Sequence, residues 1–294
     1  MHSTETLGIH VTDYIFKSMD DKEVTGMVLI DLNKAFDSLS HSVLLNELQS
    51  LGTSDCALAW FKSYLSDRQQ TTRVGPSVST SLAVTHGVPQ SSILGQVLFN
   101  LYLNDLPKVI ENCEVDSYVD DTKLYLSITL KDINVGVSQI SAELKRVAQW
   151  CCSHSLLINP VKTKLILFGV PQNVCHLLDL SIDFLGPNLK PVSLCKDLGI
   201  VLDSSLTFNE HINSQTSSLM SSLCQISRVK HLFPKDSLFI IINAFVFSKL
   251  FYCSTVWSGT TKQNINKLQL IQNFAAQILI VSENMTVSLK LLKV

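Results

Sequence analysis

The chain has 294 residues, enough for one large domain or two smaller ones with ample core. A hydrophobic content of 46% and a charged content of 16% exclude wholesale disorder. A net charge of −2 does not by itself announce a nucleic-acid binder. The distribution says more: residues 1–144 hold 9 Lys/Arg against 18 Asp/Glu, a balance of −9, and residues 145–294 hold 14 against 7, a balance of +7. An acidic front half and a basic back half fit metal chemistry followed by a phosphate-gripping module, although ordinary surface variation fits as well. Eight cysteines include no Cys-x-x-Cys, and Cys151 and Cys152 are adjacent, which argues against a disulfide framework or a zinc knuckle. Eight histidines lack metal-ligand spacing. No secretory signal opens the chain, and its longest apolar stretch, 238–252, is interrupted by Asn243 and Lys249. That is short of the roughly 20 residues of a spanning helix. The expectation is an intracellular protein, nuclear or cytoplasmic, with no membrane partner.

In chain order, residues 1–23 read as a partly amphipathic helix ending in Asp20-Asp21-Lys22-Glu23, and 26–32 as a strand. Residues 40–51 and 54–66 have helical spacing, with Gly52 as a stop between them. Residues 69–74 and 78–84 read as strands joined by a Gly75-Pro76 turn. A loop over 85–92 feeds a helix over 93–106, and a hairpin around Asp120 follows. Residues 132–150 form a helix, a turn over 159–164 leads into a strand over 165–168, and 171–191 is irregular. A short strand pair lies within 194–202, and helices dominate from 209 onward. Alternating strands and helices with a helical tail predict an α+β fold: an antiparallel sheet with helices packed on one face, followed by a small helical domain.

The chemistry concentrates in Ser117-Tyr118-Val119-Asp120-Asp121-Thr122-Lys123-Leu124-Tyr125, a hairpin with two adjacent acids at its tip. Adjacent like charges repel, and a divalent cation reverses the sign of that cost, since hard cations take carboxylate oxygens. A third acid, Asp31, ends the continuous apolar run 27–30. A carboxylate at the end of a buried strand is costly unless paired or metal-bound. Asp31, Asp120 and Asp121 together would suit two metal ions clamping a phosphoryl transfer. A solvated turn is the plainer reading of Asp120-Asp121 on its own.

Five ordered blocks carry a resemblance. Asp31-Leu32-Asn33-Lys34-Ala35-Phe36-Asp37, Gly87-Val88-Pro89-Gln90-Ser91-Ser92-Ile93-Leu94-Gly95, Tyr118-Val119-Asp120-Asp121, Asn159-Pro160-Val161-Lys162-Thr163-Lys164 and Asp197-Leu198-Gly199-Ile200-Val201-Leu202-Asp203 stand in that order. The first four resemble motifs A to D, and the fifth the palm–thumb border, of reverse transcriptases of non-LTR (LINE-type) retrotransposons. Leu268-Gln269-Leu270-Ile271-Gln272-Asn273 resembles that family's thumb. The resemblance implies a polymerase-type palm with residual fingers elements over 24–205, preceded by a helical segment over 1–23 and followed by a thumb-like helical domain over 206–294. It implies an RNA-directed DNA polymerase that uses two Mg²⁺ ions, an RNA template, a DNA primer and deoxynucleoside triphosphates. By the same resemblance Asp31, Asp120 and Asp121 hold the metals, and the Leu32 carbonyl is a further ligand. Phe36 packs under the sugar and rejects a 2′-hydroxyl, Gln90 contacts nucleotide or template, and Lys162 is a general acid for departing pyrophosphate. Read alone, Phe36 is equally a core aromatic, Gln90 an exposed loop amide and Lys162 a surface lysine.

The chain departs from the family's pattern in places. Ser91 stands where motif B has glycine, Gln96 where proline is usual, and Tyr118-Val119 where Phe-Ala is usual. A φ > 0 position would cost serine on the order of 1 kcal/mol. The resemblance also leaves the fingers with their triphosphate-holding cations, and the endonuclease, outside these residues, to be supplied elsewhere. A catalytically silent remnant that binds nucleic acid through its basic half is the competing expectation. A nucleotide cyclase on a similar palm is a third, but it would not need the 87–95 block or the lysine turn at 162.

Overall fold

The computed structural model describes residues 3–90 and 92–281. They form two compact units: residues 18–192, and residues 1–17 together with 193 onward. The first helix, α1 (Thr4–Asp20), runs from the second of these units into the first.

In the unit of residues 18–192 the chain passes through β1 (Val24–Ile30), β2 (Leu32–Asn33), α2 (His41–Ser50) and α3 (Asp55–Leu65). An arm follows, made of β3 (Gln69–Gln70), β4 (Arg73–Val74), β5 (Ser77–Val78) and β6 (Leu82–Ala83). Then come α4 (Ile93–Tyr102), β7 (Glu114–Tyr118), β8 (Asp121–Ile128), α5 (Ile133–Ser153), β9 (Leu157–Ile158) and β10 (Lys164–Phe168). The short elements α6 (Pro171–Val174), β11 (Ile182–Asp183), β12 (Asn188–Leu189) and β13 (Pro191–Val192) close the unit. The principal sheet has the order β13-β10-β1-β8-β7. Its pairings are antiparallel except β10–β13, which is parallel. β1 is central, and every residue of it is buried except the half-buried Leu29. That burial explains its unbroken apolar run, because a central strand covered on both faces has no solvent side to mark with polar residues.

Val28 and Ile30 of β1, Leu124 of β8 and Leu165 of β10 share one core with Leu44 of α2, Phe99 and Tyr102 of α4, and Leu144 and Val147 of α5. Fully burying each such side chain contributes about 1.5–3 kcal/mol. α5 lies close to the sheet through Gly136, where an added Cβ would overlap the Ile128 side chain.

Several elements end earlier than periodicity predicts. The strand expected over 26–32 breaks at Asp31 because the backbone changes partners there. β1 pairs with β8 and β10, whereas β2 pairs with β9, Leu32 facing Ile158. The helix expected over 93–106 stops at Tyr102, and a 3-10 turn follows over Leu106–Val109. Pro107 disfavours helical geometry at the residue before it and suits the first turn of a new element. The two strands expected over 69–74 and 78–84 are each split, into a ladder of β3 with β6 and one of β4 with β5. The stretch 171–191 holds short elements rather than none.

In the other unit β14 (Leu194–Asp197) and β15 (Ile200–Asp203) form a hairpin. Its turn, Leu198-Gly199, has positive φ at both positions (+45° and +87°), the signature of the turn that matches strand twist. The Asp203 carboxylate accepts from the backbone N–H groups of Ser205, Thr207 and Phe208 at 3.2, 3.0 and 2.7 Å. It thereby fixes the entry to α7 (Asn209–Val229). The remaining helices are α8 (Lys235–Ile242), α9 (Ser248–Leu250), α10 (Ser254–Trp257) and α11 (Lys262–Val281). Buried Asn264 of α11 donates to Asn209 Oδ1 at 2.7 Å and to Thr260 Oγ1 at 2.9 Å, tying α11 to the start of α7. Among the described residues no helix is long and apolar enough to cross a membrane.

Candidate active site

Three segments of the unit of residues 18–192 meet at one end of the sheet. The first is the end of β1. Its pairing with β8 ends at Ile30↔Thr122, so half-buried Asp31 and exposed Asp121 are the residues next beyond that last pair. The backbone of Asp31 is fastened on the other side, where its carbonyl accepts from Asn159 N–H at 2.8 Å and its N–H donates to Thr163 Oγ1 at 3.4 Å.

The second segment is the β7–β8 turn. Tyr118 pairs with Asp121, leaving Val119 and Asp120 as a two-residue loop with Asp120 exposed at the apex. Val119 holds φ at +58° and Asp120 is not among the positive-φ residues, a combination that favours glycine at the first position. A β-branched residue there is strained, and strain of this kind concentrates at functional sites. The hairpin is braced by Ser117 Oγ to Thr122 Oγ1 at 3.1 Å and by the Tyr125 hydroxyl donating to Asp116 Oδ2 at 2.7 Å.

The third segment is the loop before α4, laced to the stretch after β2. Gly87 N–H donates to Leu39 O at 2.8 Å and Val88 N–H to Phe36 O at 2.9 Å. His41 Nε2 lies 2.8 Å from Gly87 O. Gly87 has φ +83°, and a Cβ there would meet the backbone of Asp37 and Phe36 within 2.9 Å, so only glycine fits. Ser92 caps α4, accepting from Gly95 N–H at 2.9 Å. The Gln90 amide donates to Asp37 Oδ1 at 2.9 Å. Ser91 lies outside the described residues.

An open cleft of about 430 Å³ lies between these segments, lined by Leu32, Lys34, Ala35, Phe36, Pro89, Gln90, Gln96 and Asp120. It gathers four of the residues singled out in the sequence: Leu32, Phe36, Gln90 and Asp120. Phe36 reaches it from a firm base, its ring stacked on Phe99 with centroids 4.6 Å apart. Phe36 thus packs on the core and lines the cleft at once. Asp31, Asp121 and Lys162 are not in the lining. Lys162 is exposed in a turn held by Asn159 Oδ1, which accepts from the N–H groups of Val161 and Lys162 at 3.2 and 3.3 Å. Lys34, His41 and the Asp37–Gln90 contact carried no signal of their own, because each partner pair is distant in sequence or hidden inside a longer block.

The family model for "Reverse transcriptase (RNA-dependent DNA polymerase)" matches residues 1–189. The chain belongs to that family. It is 29% identical over 287 residues to a probable RNA-directed DNA polymerase from transposon BS of Drosophila melanogaster, a match covering 93% of this chain and 31% of that one. It is 26% identical over 283 residues to the RNA-directed DNA polymerase from mobile element jockey of the same organism, covering 92% and 30%. The chain thus spans about three-tenths of the length of these relatives, which bear out the expected relationship to non-LTR elements. The solved structure of apo telomerase from Candida tropicalis aligns over 93% of this chain and 46% of that one, with a TM-score of 0.51 and 14% identity. That likeness bears out the expected polymerase-type fold.

Membership of this family implies dependence on a divalent cation. The donor set fits such an ion in kind, since Asp31, Asp120 and Asp121 offer only carboxylate oxygens at neighbouring positions of one sheet end. Among the described residues no three His, Cys, Asp or Glu side chains are already gathered to hold an ion. Asp31 and Asp121 each adjoin the last β1–β8 pair, and Asp120 precedes Asp121 in the turn.

Proposed function

We propose that this chain carries the palm and thumb of an RNA-directed DNA polymerase, extending a DNA primer along an RNA template with deoxynucleoside triphosphates. The observation that carries the reading is the cleft: Leu32, Phe36, Gln90 and Asp120, drawn from three separated segments, line one space beside the end of the β1–β8 ladder, where Asp31 and Asp121 each adjoin the last pair. Palm residues run over 24–205 and thumb residues over 206–294 in this reading.

Asp31, Asp120 and Asp121, with the Leu32 carbonyl, would hold two Mg²⁺ ions, which would supply activation of the primer hydroxyl and neutralisation of phosphate charge. The chain's own residues do the rest. Phe36, braced by Phe99, presents a flat apolar wall to the sugar and leaves a 2′-hydroxyl without a partner. Lys34 brings a cation to the cleft for the triphosphate. Gln90, oriented by Asp37, faces the incoming nucleotide or its template base. Lys162, on a turn fastened beside Asp31, offers a proton to departing pyrophosphate.

Primer extension on an RNA template tests the reading. The native chain extends the primer, and Asp120→Ala reduces extension by about 100-fold or more, as loss of a principal electrostatic group does. Extension that survives Asp120→Ala refutes the metal assignment. No extension by either protein, with strand binding retained, favours a remnant that binds without chemistry.

A further inference from the structure

Away from the cleft, α3 carries an arrangement that the polymerase reading does not use. Trp60 and Tyr64 stand four residues apart, a spacing that stacks side chains along one helix face, and Arg68 follows just beyond the end of the helix. The Trp60 and Tyr64 rings lie 5.5 Å apart and only 8° from parallel. The Arg68 guanidinium sits over the Tyr64 ring at 5.7 Å from its centroid. Phe61 braces Trp60 edge-on at 5.1 Å and itself packs on the core. Trp60 is nevertheless 53% exposed, whereas Trp150 and Trp257 are buried. A large ring held rigid and left open to solvent is unusual, since aromatic side chains dominate cores and interfaces.

The local charge says what would cover it. The arm that follows α3, residues 66–84, carries Arg68 and Arg73 against Asp67 alone, within a half whose overall balance is −9. Arg68 also begins the exposed arm that bears Arg73, its carbonyl accepting from Val84 N–H at 2.8 Å. Aromatic planes with a cationic margin suit a ligand that is itself a flat ring on a phosphate chain.

We propose that Trp60, Tyr64 and Arg68 form a stacking platform for an unpaired base of a single nucleic-acid strand, with Arg68 and Arg73 beside its phosphates. The proposal rests on the reading of this chain as a nucleic-acid polymerase, but the platform needs no metal and no chemistry, so the two fail separately.

The test uses the chain in EDTA, so that nucleotidyl transfer is absent, with tryptophan emission as the readout. Single-stranded RNA and single-stranded DNA of about ten nucleotides are titrated in parallel arms, beside an abasic strand of the same length. Either strand with bases is expected to quench the exposed tryptophan, and the abasic strand not to. Trp60→Leu is expected to abolish that quenching and to weaken binding, followed by fluorescence anisotropy of a labelled strand, by roughly 5- to 100-fold. Trp60→Phe is expected to keep most of the affinity. Unchanged circular dichroism establishes that Trp60→Leu is folded. Equal affinity of Trp60→Leu and the native chain overturns the platform. So does self-association of the native chain that Trp60→Leu abolishes, since a second protein copy would then be the occupant. Quenching in a chain that never extends a primer keeps the platform and removes the polymerase reading.

Discussion

At the scale of single residues, the acids stood out because adjacent carboxylates repel unless paired, solvated or metal-bound, and Asp31 because it ends a buried strand. What holds their neighbours was not. Gln90 donates to Asp37 across 53 positions of sequence, and His41 meets the Gly87 carbonyl across 46, distances at which composition and periodicity are silent. Val119 was legible only as a mild departure from the family's residue, yet its φ of +58° makes it a strained point of the site. The left-handed conformation costs a β-branched residue about 1–2 kcal/mol, and the half-buried Val119 side chain returns part of that by packing against the core. Val119→Gly is therefore expected to raise the stability of the unit of residues 18–192 by about 0.5–1 kcal/mol in urea unfolding. A loss of 1 kcal/mol or more would mean that packing outweighs strain at the turn.

At the scale of elements, α2, α3, α5 and the central strands follow from period and apolar runs, because each buries a continuous face. The breaks do not follow from period. The strand that stops at Asp31, and the arm split into two short ladders, are set by which partner the backbone meets. The approach of α5 to the sheet is also invisible in a helical pattern and turns on Gly136. Gly136→Ala gains about 1 kcal/mol in helix propensity. The new Cβ, however, overlaps the Ile128 side chain, which is buried in the sheet, and overpacking of that kind costs about 1–3 kcal/mol. The expected sum is a net loss, and adding Ile128→Val should recover part of it. A stable single variant, or a double variant that recovers nothing, would place the tolerance elsewhere.

At the scale of the whole molecule, the charge asymmetry seen in the sequence has two compact units to belong to, so one unfolding free energy does not describe the chain. The unit of residues 1–17 and 193 onward has its own pH dependence through His211. Burial lowers the pKa of this imidazole. Its Nδ1 accepts from the Val201 N–H at 3.4 Å, which puts the proton on Nε2, and Nε2 is buried without a hydrogen-bond partner. Protonation would add a hydrogen at Nδ1 and oppose that contact. The folded value lies below the unfolded one, near 6.5, so the unfolded chain takes up the proton first. Stability of this unit is expected to be complete above about pH 6.5 and to fall as the pH drops below it, levelling once the folded imidazole titrates. His211→Phe should remove that slope from thermal unfolding followed between pH 7.5 and 5, and an unchanged slope would assign it to another group.

The claim on which the functional reading turns is that Asp31 and Asp121, each next to the last β1–β8 pair, are parts of one cation site with Asp120. Manganese binding followed by electron paramagnetic resonance tests it without substrate or strand. The native chain should bind Mn²⁺, and Asp31→Asn and Asp121→Asn should each weaken that binding by about 10-fold or more. If Asp31→Asn binds Mn²⁺ as tightly as the native chain while Asp121→Asn does not, the two strand ends do not share an ion, and the claim is contradicted.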